Sequence, residues 1–280
     1  APLELEIGFG NGDYLVRRVQ AHPERDFVGV ELEWPSTRRA LRKIAQANVA
    51  NVRLIQADAR VALERLFRPG SLRRAYALFP CPWPKKRHAK RRLFSRPFLR
   101  LLNSRLAAEG EVLIVTDHRP YLTWVLDQVP DSGFESHWQP VPPRLGTKYE
   151  RKWHQQGQEQ FYELRLLKRE SIEIPLKEDA SLRTYRVQDF DPERFQPSGE
   201  RGEVAVEFKE FLYDAKRRKG MTRVVVAEGS LAQHLWIEIV WGERRWHIRP
   251  ARGCEIIPTA GLQRALDLVH QAALLTKEGS

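Results

Sequence analysis

From Leu3 to Leu167 short apolar, β-rich runs alternate with amphipathic stretches, the pattern of a parallel sheet covered by helices on both faces. The runs predict strands at 3–7, 27–31, 52–56, 75–79, 112–116, 133–137 and 160–167, with helices between most of them. Asp13 is placed to cap the first helix, Pro35 suits the start of the second, and Ser95 opens the fourth with Pro97 in its first turn. No helical pattern separates the last two strands. They are expected to pair antiparallel, with 140–158 as a long hairpin loop.

After Lys168 the texture changes. Residues 170–202 are polar and proline-punctuated, and strand patterns then recur at 204–213, 222–228, 235–241 and 245–250 before a final helix at 261–275. This predicts two domains: an α/β, doubly wound Rossmann-like domain at 1–170 and a smaller α+β domain at 171–280.

Charge narrows the partner. The 280 residues carry a net charge of +11, so a polyanion is expected, because neutralising phosphates releases counterions and drives binding. The two cysteines, Cys81 and Cys254, lie far apart without metal-ligand spacing, so no metal site or disulfide framework is expected and a reducing cytoplasm fits. No apolar run is long enough to span a membrane.

The first strand ends in a glycine-rich turn, Glu6-Ile7-Gly8-Phe9-Gly10-Asn11-Gly12-Asp13. Glycines let the backbone approach a ligand, but a dinucleotide fingerprint requires a glycine where Asp13 stands, and an aspartate there repels a pyrophosphate. A ligand with an amino acid and a nucleoside but no phosphate fits better, which is S-adenosylmethionine. Glu31 closes the second strand, where a carboxylate can accept both ribose hydroxyls. Asp58 follows the third, where it can accept from the adenine amine. Each also has a plainer reading as a surface acid or helix cap.

The fourth strand runs into Phe79-Pro80-Cys81-Pro82-Trp83-Pro84-Lys85, followed by the basic run Lys86-Arg87-His88-Ala89-Lys90-Arg91-Arg92. The prolines are expected to hold Cys81 and Trp83 extended, as a base pocket beside a phosphate grip. The fifth strand ends in Thr116-Asp117, and 140–158 contains Thr147-Lys148-Tyr149-Glu150, a candidate substrate clamp.

EIGFGNG, GVEL, FPCPWPKKRH, TD at 116–117 and GTKYERK, in that order, resemble the bacterial tRNA (guanine-N7)-methyltransferase family over residues 3–168. The resemblance implies a class I methyltransferase fold, with Glu6, Gly8, Gly10, Gly12, Glu31, Asp58 and Cys81 at S-adenosylmethionine. It also implies Lys85, Asp117, Thr147, Lys148, Tyr149 and Glu150 at tRNA, methylated at the variable-loop guanosine, position 46. The family loop usually reads FPDPWPK, with an aspartate regarded as cofactor-contacting or catalytic where this chain has Cys81. Guanine N7 carries a free lone pair, so methyl transfer needs no proton removed. Asp117 is therefore expected to anchor the guanine as the principal catalytic residue, with Cys81 lining the pocket. A cysteine between prolines also fits a pyrimidine C5-methyltransferase nucleophile, and the missing aspartate fits an RNA-binding module without activity. For 171–280, Lys216 to Lys219 with Trp236, Trp241 and Trp246 suggest an auxiliary tRNA-binding or stabilising role.

Overall fold

The computed structural model describes residues 2–275, apart from the Lys86 side chain. It divides into two compact units, 1–177 and 178–280.

In the first unit the chain runs β1 (Leu3–Ile7), α1 (Asp13–Ala21), β2 (Asp26–Glu31), α2 (Trp34–Ala47), β3 (Val52–Gln56), α3 (Ala59–Arg65) and β4 (Leu72–Leu78). A 3-10 turn (Lys86–Arg91) leads to α4 (Arg96–Arg105), β5 (Leu106–Thr116), α5 (Arg119–Leu126), β6 (Phe134–Val141), α6 (Lys148–Gln155) and β7 (Phe161–Lys168). The seven strands order as β3-β2-β1-β4-β5-β7-β6. β1 to β5 are parallel, and β7 enters antiparallel between β5 and β6.

Strand alternation decides which helices cover each face. Leu5, Ile7 and Val30 point to a large core with residues of α3, α4 and α5, including Leu63, Leu99 and Tyr121. Phe9, Leu15, Val19, Phe27, Ala40 and Val52 form a second core, in which α1 and α2 meet the opposite face. The sheet is doubly wound, as the alternation of apolar runs predicts.

Three local expectations need correction. Gly12, not Asp13, is the N-cap of α1. Gly12 has φ +78°, and a Cβ there would sit 2.8 Å from the Ala40 Cβ, so the close α1–α2 approach requires glycine. Asp13 instead accepts from Asn11 and pairs with Lys43 and Arg151. Second, a helix does lie between the last two strands: α6 occupies part of the stretch expected to be loop. Third, Trp83 is not extended; its φ is +42°, and that of Phe79 is +57°. Both precede a proline, and a bulky residue in this region is an outlier that the surrounding contacts must hold in place.

The first unit also extends past residue 170. Fully buried Arg105 is responsible: its guanidinium donates to the carbonyls of Leu63 (2.7 Å), Ile174 and Pro175 (3.1 Å). Asn103 adds bonds to the Glu170 carbonyl and the Ile172 amide. Arg105→Leu leaves these carbonyls unpaired, and is expected to lower stability by about 3 kcal/mol with early proteolysis near residue 174, read by thermal melting and limited digestion.

The second unit contains β8 (Tyr185–Val187), β9 (Val204–Asp214), β10 (Lys219–Glu228), β11 (Leu231–Gly242), β12 (Arg245–Pro250) and α7 (Ala260–Leu275). Its sheet orders as β8-β12-β11-β10-β9, with antiparallel pairing throughout. Val224, Val226, Leu235, Ile237 and Ile248 pack with Leu262, Leu266 and Val269 of α7 into a separate core.

Candidate functional site: a two-part cleft at the carboxyl ends of the strands

The carboxyl ends of β1, β2, β4 and β5, with the turn after β3, open into one cleft of about 540 Å³. A parallel sheet delivers all its strand-end loops to the same edge, so residues far apart in sequence converge. Gly8, Gly10, Glu31, Asp58, Cys81 and Asp117 line this cleft. A narrow annex behind it, sharing Gly8, Gly10 and Tyr149, is lined also by Glu6, Thr147 and Lys148. Gly12 lies outside both linings, at the helix contact described above.

Glu6 is the most perturbed group of the site. It is 4% exposed, and its Oε2 has no hydrogen-bond partner among the described residues. Burial pushes its carboxyl up to about 8; the nearby Arg17 charge opposes this, while Glu31 and Asp13 reinforce it. One residue pair away on the same strand, Glu4 is equally buried but satisfied. Burial alone would raise its carboxyl, yet hydrogen bonds from Tyr76, Arg18 and Arg25 outweigh it and hold Glu4 below the usual range. A carboxylate left unpaired at the end of an annex beside a glycine turn is suited to receive a cationic group.

Glu31 ties the cleft floor together. Oε2 accepts from the Gly10 amide (2.9 Å), and Oε1 accepts from the amides of Leu32 (2.8 Å) and Glu33 (3.1 Å). Two carboxylate oxygens offer about four acceptor positions, so one remains for a ligand hydroxyl. Asp58 caps α3, its Oδ1 accepting from the Arg60 amide at 2.7 Å, and its residue still lines the cleft. The plainer helix-cap reading of Asp58 is thus realised, and it leaves Oδ2 within reach of Arg60 at 3.7 Å.

The loop after β4 is braced by cations. Arg92 donates to the carbonyls of Pro82 (2.9 Å) and Trp83 (3.3 Å), and its guanidinium lies over Trp124. Arg91 lies 5.1 Å over the Trp83 ring, and His88 meets that ring edge-on. Within the basic run expected to grip phosphate, Arg92 is thus already engaged by the loop itself. Arg92 serves the loop backbone, Arg91 lines the cleft, and the Lys86 side chain lies outside the described residues. Lys85 is exposed at the start of the 3-10 turn, outside the cleft lining. Cys81 is exposed, and Asp117 makes no hydrogen bond or ion pair among the described residues.

The segment 144–151 closes the annex. Thr147 Oγ1 accepts from the Glu150 amide to cap α6, and the buried Glu150 carboxylate accepts from the amides of Arg144 (2.8 Å), Leu145 (2.9 Å) and Gly146. Arg17 of α1 donates to the carbonyls of Leu145 and Gly146, and Arg151 reaches Asp13 at 3.1 Å. Glu150 thus shapes the loop, while Tyr149, 48% exposed, forms a wall common to annex and cleft. Trp153, one helical turn beyond Tyr149, lines the cleft as well and was not singled out in the sequence. The signal for it is the Thr147-x-x-Glu150 capping box, which announces a helix and places 149 and 153 on one face.

Among the described residues no group of His, Cys, Asp or Glu has metal-holding geometry, and no helix is long and apolar enough to cross a membrane.

A family model described as "Putative methyltransferase" matches residues 1–163. A tRNA (guanine-N(7)-)-methyltransferase of Chlorobium phaeobacteroides is 44% identical over 171 residues, covering 61% of this chain and 84% of that protein. The like-named Thermotoga maritima protein is 42% identical over 167 residues, and this chain spans about half of it, 52%. The one from Thermus thermophilus is 34% identical over 259 residues, covering 85% of this chain and 78% of its own length. That coverage exceeds the share held by residues 1–177, so the likeness reaches into the second unit. Carrying the glycine turn, the strand-end acids and the proline-tryptophan loop on a doubly wound sheet, the chain belongs to the tRNA (guanine-N7)-methyltransferase family.

Proposed function

We propose that the protein transfers the methyl group of S-adenosylmethionine to N7 of a guanosine in tRNA, the variable-loop guanosine at position 46. The observation that carries this reading is the unpaired Glu6 carboxylate, buried in an annex that opens past Gly8 and Gly10 into the Glu31–Asp58 side of the larger cleft. The annex suits the ammonium end of an amino acid, and the cleft suits a nucleoside. No Cβ at Gly8 or Gly10 would meet protein within 4 Å, which leaves that backbone open to a ligand.

When bound, S-adenosylmethionine supplies an electrophilic methyl carbon. Glu6 holds the cationic amino end, Glu31 accepts from the ribose, and Asp58 accepts from the adenine amine beside its capping bond. Asp117 accepts from guanine N1 and N2, and offsets the positive charge that arrives on the imidazole ring. Because N7 is already a lone-pair donor, no residue has to remove a proton; orientation and charge are what the protein contributes. Cys81 lines the pocket at the position of the usual aspartate. Tyr149 and Trp153 give it an aromatic wall, and Lys85 takes a neighbouring phosphate. Thr147 and Lys148 border the annex, and Glu150 acts through the loop that it organises. A reducing cytoplasm, where tRNA is found, suits the free Cys81 and Cys254.

Incubation with methyl-labelled S-adenosylmethionine and unmodified tRNA, followed by nucleoside analysis, tests the reading. Label in 7-methylguanosine is expected. Label in a 5-methylpyrimidine, or tRNA binding without transfer, overturns it.

A further inference from the structure

The second unit ends its sheet in two adjacent turns. β10 pairs with β9 on one side and with β11 on the other, and β11 pairs with β12, so turns 215–218 and 243–244 emerge at the same end. Lys216, Arg217, Arg218 and Lys219 belong to the first turn and its exit; Arg244 and Arg245 belong to the second. Asp214 and Glu243 are the acids within these two segments. Arg217 is 83% exposed at its side chain, and Lys216, Arg244 and Arg245 are exposed as well.

Backbone conformation separates this cluster from an ordinary solvated charge run. Arg218 has φ +48°, Glu243 +52° and Arg244 +69°. The two central residues of the β11–β12 turn therefore both occupy the left-handed region, where Asn and Gly are favoured and a long side chain is penalised. Two of the three strained positions carry arginine. The first is also braced: the Arg218 guanidinium lies 3.8 Å from the centre of the Trp241 ring and 5.3 Å from that of Trp246, and its carbonyl accepts from the Trp241 amide. A guanidinium resting on indole keeps its N–H donors, which a carboxylate partner would occupy. Trp246 is itself 4% exposed, so the platform is anchored in the core of the second unit.

We propose that this sheet end is a phosphate-backbone contact for RNA, a second grip on the tRNA apart from the strand-end cleft. The choice of RNA rests on the function proposed above. Turn geometry gathers these cations at one end of the sheet and the tryptophan pair braces Arg218, while Arg217 lies 3.8 Å from Asp214 and Lys219 2.8 Å from Glu238. Charges held at such a surface contribute affinity without reading sequence.

The test uses the full chain and unmodified tRNA, with Kd measured across 50–200 mM KCl. The triple variant Lys216→Glu, Arg217→Glu, Arg244→Glu is expected to weaken tRNA binding at least about tenfold at low salt and to flatten the log Kd against log salt slope by about 2. The neutral triple Lys216→Gln, Arg217→Gln, Arg244→Gln changes both in the same direction by less. Both variants keep the parent's affinity for S-adenosylhomocysteine, which shows that the first unit is intact; an unchanged melting transition does the same for the second. Parent-like tRNA affinity and slope in both variants overturn the contact alone. So does loss of binding to phosphatidylserine vesicles with tRNA binding preserved. A parent that binds no tRNA overturns the substrate reading and the contact with it.

Discussion

Glu6→Gln is expected to weaken S-adenosylhomocysteine binding on the order of 50-fold while leaving the fold intact. The glutamine fits the same space but cannot offer a charge to an ammonium group, and a charge-assisted hydrogen bond contributes about 1.5–3 kcal/mol. The pH dependence is the more specific readout. With the Glu6 carboxyl pushed up to about 8 by burial, the unliganded protein holds a proton there at neutral pH. Binding a cation requires that proton to leave, so affinity in the parent rises about tenfold per pH unit from 6 towards 8 and then levels. The variant shows no such slope. Stability runs the other way. The folded pKa lies above the ordinary value of 4.5, so the contribution of neutral Glu6 is fully present below 4.5 and is lost as pH rises through about 8. Melting of the unliganded parent should therefore decline across that window more steeply than melting of the variant. Equal pH profiles of affinity for the two proteins would remove Glu6 from the cofactor site.

Asp117→Ala is expected to lower kcat/KM for tRNA by about 100-fold, whereas Cys81→Ser stays within a few-fold of the parent. The asymmetry follows from the chemistry of N7, which needs an anion to hold and neutralise the ring but no base to deprotonate it. Asp117 brings a carboxylate with no partner among the described residues to the cleft, while Cys81 brings an exposed thiol. S-adenosylhomocysteine affinity should be unchanged in Asp117→Ala, placing the loss on the tRNA side of the reaction. Abolition by Cys81→Ser with Asp117→Ala near normal reverses the roles, and points towards a covalent cysteine mechanism.

The succession of strands along the chain, the antiparallel last pair and the place of the glycine turn are legible in the sequence because they follow from the length and spacing of the apolar runs. β1, β3 and β12 begin and end where their patterns do. Once five parallel strands are fixed, Gly8, Glu31, Asp58, Cys81 and Asp117 have to converge, since each stands at or just after a strand's carboxyl end. What stayed hidden depends on tertiary partners. α6 is polar around most of its circumference, so no apolar stripe announces it. β8 is three residues long and exists through its pairing with β12. Arg92 reads as one more charge of the basic run and nothing in the sequence marks Arg105, yet one holds the proline loop and the other holds the 174–175 backbone. Nothing local distinguishes an arginine that donates to carbonyls from one that faces water. The positive φ values of Phe79 and Trp83 contradict the usual habit of residues before proline. Trp83 is held by contacts from Arg91 and Arg92, and Phe79 by its amide bond to the Val115 carbonyl and its edge-on contact with Phe161, partners that no short window of sequence brings together.

The late insertion of β7 sets a rule for handling this chain. Ribosomes deliver β5 and β6 well before the strand that joins them, so β5 waits with a bare row of amides and carbonyls until 161–168 emerge. Any shortened version that stops before Lys168 leaves that row permanently available to other molecules, and should precipitate as it is made. A usable catalytic fragment has to run through Lys177, where the Arg105-bound backbone is also included.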